Sequence, residues 1–192
     1  MRRGTCAAAG GLLVLLICAG AAPRARADAG ELDLLVLGSG GFSGSNNPGN
    51  NGYYTTGLSS YAFTGNLGYW FDDSWEAGVG AGSGRAQYQS CNSQNLCANG
   101  TQATVQFTVF GRYNFTSDYG AQYSFTGLQV EQINAGNALG SVTVLHPVAG
   151  YRFSLTENLS LELSVGAGIP LAGDTTRFPT TYDVQMGLVI PL

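Results

Sequence analysis

The chain has 192 residues, and without its first 27 it keeps four arginines (Arg85, Arg112, Arg152 and Arg177), no lysine and twelve acidic residues, a net charge near −8. That balance argues against nucleic acid and other polyanions as partners. A length of 165 residues after position 27 (192 less 27) suits one domain.

Residues 1–27 are expected to be a secretory signal peptide. Arg2 and Arg3 form a basic start, GLLVLLICAG an apolar centre, and Ala25-Arg26-Ala27 a small-x-small ending. The apolar centre is shorter than the roughly 20 residues of a membrane-spanning helix. A lipoprotein signal ending at Cys18 would want a small residue before the cysteine, where Ile17 stands. Residues 28–192 are expected to form the exported domain.

From there on, runs of period two recur, with no capped helical period. In chain order they lie at about 34–44, 58–71, 75–88, 102–115, 121–132, 141–154, 159–171 and 181–192, and they predict eight strands. Parity slips in the fifth, between Tyr123 and Phe125 on one side and Leu128 and Val130 on the other, and predicts a bulge near Gly127. The gaps at 72–74, 116–120 and 156–158 are tight and polar, whereas those beginning SNNPGNNG, SCNSQNLC, INAGNALG and AGDTTRFP are longer. Short turns at one end and long ones at the other describe an up-and-down meander.

The faces of these strands are unequal. Val105, Phe107, Val109 and Tyr113 share one face of the fourth, opposite Thr104, Gln106, Thr108 and Arg112. In the seventh, Leu159, Leu161, Leu163, Val165, Ile169 and Leu171 oppose Ser160, Glu162, Ser164, Gly166 and Gly168. A soluble barrel needs its bulky apolar face inside, whereas here the other face is too small or polar to fill a core. Facing the bulk outward into lipid, with the ring closed so that no edge is left, predicts an all-β, eight-stranded, antiparallel up-and-down transmembrane β-barrel. Tyr69, Trp70, Phe71, Trp75, Tyr113, Phe115, Tyr119, Tyr123, Tyr151 and Phe153 crowd the short turns as an interfacial girdle would.

Three sets of side chains are candidates for a role. Cys91 and Cys97, six apart in an oxidising compartment, predict a loop-stapling disulfide; no metal site is expected, because the loop lacks ligands and the one histidine, His146, is distant. A turn centred near 157 sets Arg152 opposite Glu162, and the midpoint of the cysteines, 94, sets Glu76 opposite Arg112. All four point inward at similar height, predicting a lumen ion-pair cluster. Gly78, Gly80, Gly82 and Gly84 leave room inside the third strand, either for Trp70 or Phe110 to pack or for a narrow recess.

With these features the chain resembles the small eight-stranded outer-membrane barrels of Gram-negative bacteria, of the OmpA-transmembrane, OmpX and OmpW kind. The last strand carries the most specific likeness: Gln185, Gly187, Ile190 and Leu192 are similar to the signal read by the barrel-insertion machinery, although Leu192 stands where an aromatic is usual. The resemblance implies residence in the outer membrane among its lipids, a monomer, no cofactor, and a structural or surface role. A narrow channel or carrier for small hydrophobic solutes and a soluble barrel holding a lipid-like ligand are the other readings. Lipid A deacylase barrels are similar in size but pair a His with a Ser two residues on, whereas His146 is followed by Pro147 and Val148; no enzyme is expected.

Overall fold

A computed structural model describes residues 29–43, 54–91, 96–115, 122–136, 140–156, 158–173, 175 and 178–192. The expected signal peptide and the 116–120 turn lie outside these residues. Eight strands, β1 (Leu32–Ser43), β2 (Tyr54–Trp70), β3 (Trp75–Cys91), β4 (Cys97–Phe115), β5 (Gln122–Asn134), β6 (Ser141–Thr156), β7 (Leu159–Gly173) and β8 (Thr181–Pro191), pair in sequence order, and β8 closes on β1. Every neighbouring pair is antiparallel.

The strands outrun the period-two runs on the long-loop side. β3 and β4 stay paired up to Cys91 opposite Cys97, so the disulfide joins two strand ends. Cysteine-to-alanine replacement at both positions is expected to cost about 2 kcal/mol or less, since so short a loop loses little chain entropy. Urea unfolding in detergent, with and without reductant, measures it.

At the opposite end, Asp72 Oδ1 accepts hydrogen bonds from the backbone N–H groups of Ser74 (2.7 Å) and Trp75 (2.8 Å), fixing the β2–β3 turn.

Closure is staggered. Following paired inward residues once around from Glu76, through Arg112, Gly127, Val148, Gly166, Asp183, Gly41 and Ser60, returns to β3 at Ala86, ten residues beyond the start. That shear tilts the strands, so residues at one height are not paired across one hydrogen-bonded row.

The outer wall is apolar. Phe63, Val79, Phe107, Val109, Val165 and Val184 are all more than half exposed. Polar residues bound this band on the long-loop side, where Gln132 bonds Ser141 (2.6 Å) and Thr143 (2.7 Å). From Trp75 to the outward Arg85 is ten residues, about 33 Å of strand, or about 25 Å of height at a tilt near 40°. Aromatic edges meet along the short-turn rim, as in Tyr69–Phe71, Trp75–Tyr113 and Tyr113–Phe115.

Three expectations need correction. β5 has no bulge at Gly127: its register with β4 and with β6 is unbroken, so Tyr123 and Phe125 point inward. Trp70 and Tyr123 therefore leave the girdle and stack edge to face inside the lumen. Nor is every apolar residue outside, since Leu35, Leu37 and Val189 form a small buried cluster where β1 meets β8. Among the described residues a break in the β6–β7 ladder falls between Leu145↔Ile169 and Val148↔Gly166, where Pro147 has no N–H to donate.

Candidate functional site: a charged lumen

Several bulky inward side chains lean across the neighbouring strand, and the position they cover is glycine. A methyl group at Gly78 would sit 2.6 Å from Phe110 Cζ, and one at Gly127 would sit 2.9 Å from Arg112 Cγ. At Gly68 the same space is taken by the Glu76 carboxylate, at Gly80 by Asn66 Oδ1, and at Gly166 by His146 Nε2. These glycines are the floor on which the lumen side chains lie. Of the two packing partners expected for the β3 glycines, Phe110 covers Gly78; Trp70 lies elsewhere.

Toward the short turns the lumen holds two guanidiniums and three carboxylates. Arg112 Nη1 donates to both oxygens of Glu162, at 2.9 and 2.8 Å. Arg152 donates to Asp33 Oδ2 (2.8 Å), Glu162 Oε2 (3.0 Å) and Glu76 Oε2 (3.2 Å). Trp70 Nε1 adds a bond to Asp33 Oδ2 at 3.0 Å. Aromatic rings cover the cations: Arg112 lies 4.7 Å from the Phe110 centroid and 4.8 Å from that of Phe125, and Arg152 lies 5.2 Å from that of Tyr123. All five charged residues are buried. An ionised group shut away from water is tolerated only with such partners.

Glu76, Arg112, Arg152 and Glu162 are thus brought together, with Arg152 opposite Glu162 and Glu76 opposite Arg112 in the register. The hydrogen bonds of Arg112, however, reach not its facing residue but Glu162 on β7, three strands round from β4. Asp33, Trp70 and Tyr123 complete the group and were missed. Asp33 is the single charge in the run LDLLVL, apolar on both faces, which hid its parity.

A second polar group lies nearer the long loops. His146 Nε2 is 2.7 Å from Asp183 Oδ1, and its Nδ1 is 3.2 Å from Glu131 Oε1. Gln185 Nε2 donates to Asp183 Oδ2 at 2.9 Å, and Ser164 Oγ contacts Gln185 Oε1 at 3.4 Å. This trio joins β5, β6 and β8, passing over Gly166 of β7.

Between the two polar groups and an apolar cap is a cavity of about 100 Å³ lined by Glu131, His146, Asp183, Asn66, Gln106 and Gln129, among others. The cap contains Phe178, Val142, Val144 and Ala135. Among the described residues no group of His, Cys, Asp and Glu has the arrangement of a metal site.

In the last strand, Gln185 and Gly187 face the lumen, Leu37 packs over Gly187, and Leu192 is exposed.

No protein-family model matches the chain, and a search of curated proteins finds no significant relative. Solved structures do match. The outer membrane protein OprG from Pseudomonas aeruginosa superposes with a TM-score of 0.57 at 14% identity, over 88% of this chain and 99% of that one. The N-terminal β-barrel domain of Pseudomonas aeruginosa OprF gives 0.52 at 14% identity, over 86% and 100%. Neisserial surface protein A gives 0.52 at 11% identity, over 83% and 96%. What they share with this chain is the fold, the closed eight-stranded antiparallel barrel of small outer-membrane proteins.

Proposed function

We propose that this chain is an integral protein of the bacterial outer membrane with a structural or surface role, non-catalytic, its lumen closed by side chains and by the Asp33–Glu76–Arg112–Arg152–Glu162 cluster. The observation that carries the reading is the encircling band of exposed Val, Leu, Phe and Tyr side chains, bounded by aromatics at the short-turn rim. So large a continuous apolar surface is compatible with hydrocarbon and not with water. Its height of about 25 Å suits a bilayer. Phe107 and Leu188 are exposed rather than gathered in a core, which speaks against a soluble barrel with a lipid-like ligand inside.

A non-catalytic role is supported by the His146 geometry. Both ring nitrogens are engaged by carboxylates, which leaves neither to take a proton from a nucleophile. The buried cluster across the short-turn half supports a closed lumen, and the polar lining above it disfavours a route for small hydrophobic solutes. Outer-membrane lipid is the expected surrounding, the barrel-insertion machinery the expected partner through Gln185, Gly187, Ile190 and Leu192, and a monomer the expected state.

The test is membrane fractionation with carbonate washing and heat-modifiable gel migration, followed by planar-bilayer recording. Retention in the membrane, faster migration of the unheated protein and no steady conductance are expected. Release into the aqueous wash would overturn the location, and a reproducible unitary current would overturn the closed lumen.

A further inference from the structure

The charge balance in the chamber above the cluster is one-sided. Among the described residues its charged lining is Glu131, Asp183 and His146, with no arginine or lysine. Even with a doubly protonated imidazole, two carboxylates outweigh one cation. The cluster beneath adds three carboxylates against two guanidiniums, so no compensating positive charge comes from below. A narrow interior with low-dielectric walls focuses that negative field.

The lining is also rich in acceptors. Asn66 is 4% exposed, and its Oδ1 is buried without a hydrogen-bond partner while the residue lines the chamber. Gln106 and Gln129 are likewise buried there. The site is built rather than incidental. His146 holds Asp183 and Glu131 in place from one side chain, and Gly166 provides the passage, since a methyl group there would lie 3.0 Å from Asp183 Oδ1 and overlap the imidazole. The volume of about 100 Å³ holds several waters or one solute of roughly four to six heavy atoms.

We propose that this chamber is a binding site for a small organic cation bearing N–H donors, of the ammonium or guanidinium class, with Glu131 and Asp183 supplying the charge and Asn66, Gln106 and Gln129 the surrounding amide oxygens. Phe178 of the apolar cap controls access from the long-loop side. The inference rests on the barrel interior and not on the compartment, so it stands or falls apart from the membrane reading.

His146 is the single histidine of the chain, which makes its ring an unambiguous reporter inside the site. The folded, full-length mature protein in detergent micelles is titrated with millimolar guanidinium or ethylammonium, well below denaturing levels, while the imidazole ¹⁵N signals are followed. Saturable shifts are expected for both cations, but not for urea, the neutral counterpart of guanidinium with the same shape. Glu131→Gln is expected to weaken binding at least tenfold, and Asn66→Ala to weaken it severalfold with the histidine contacts intact. Phe178→Ala is expected to speed exchange without loss of affinity. The proposal is overturned if neither the wild type nor Phe178→Ala shows saturation, if urea shifts the ring as guanidinium does, or if Glu131→Gln and Asn66→Ala both bind as the wild type.

Discussion

Arg152→Met lowers the unfolding free energy of the barrel in detergent by about 3–5 kcal/mol, the cost of leaving buried charges without their partner. Arg152 serves three carboxylates at once, Asp33, Glu76 and Glu162, and Arg112 cannot replace it because its Nη1 is committed to Glu162. Glu76 suffers most: its Oε2 bonds to Arg152, and its Oε1 has no hydrogen-bond partner. Neutralising the stranded acids in the same background, with Asp33→Asn and Glu76→Gln, restores much of the loss, so the changes are strongly non-additive. Arg152→Lys falls between, since one compact ammonium nitrogen cannot span the carboxylates that the guanidinium reaches from separate nitrogens. Urea midpoints of the four proteins, refolded in one detergent, decide the matter; an unchanged midpoint for Arg152→Met would mean that the cluster contributes nothing to stability.

The second large effect concerns the outer wall. Val109 is 60% exposed and lies between Val79 of β3 and Val130 of β5, both outward and apolar. Val109→Arg, measured by unfolding from lipid vesicles, costs about 2–4 kcal/mol, as a charge at mid-depth should. Ser83→Arg, two residues from Arg85 at the polar rim, costs about 0–1 kcal/mol. The gradient between the two positions is the telling quantity. Equal and small costs at both would mean that this wall faces water.

How much of this was legible in the sequence depends on which contacts are local. Hairpin partners were readable because a turn centre and a cysteine pair each define a midpoint, and so Arg152–Glu162 and Glu76–Arg112 fell opposite one another. Faces were readable wherever bulk and polarity alternate, as in β4 and β7. Neither signal reaches across the ring. Asp33 meets Arg152 only because the shear lifts and lowers strands relative to one another, and residues 119 apart come to one height. The aromatics misled for a different reason: a Trp or Tyr near a turn has the same composition whether it anchors at an interface or covers a guanidinium, and Trp70 and Tyr123 do the second. The His146 trio was invisible for the first of these reasons. Its members come from three strands, and the clue to their meeting is a glycine, Gly166, on a fourth.

The seam between β1 and β8 pairs residues from Asp33↔Pro191 to Ser43↔Thr181, and Leu192 N donates to Leu32 O at 2.8 Å. All other neighbouring strands are hairpins that can zip locally, but this join unites the two extremes of the described chain. Until it forms, two strands present open backbone edges, which are prone to pair with any other chain in the vicinity. Circularisation is therefore expected to come late in maturation, and the interval before it to be when the chain is most exposed to aggregation.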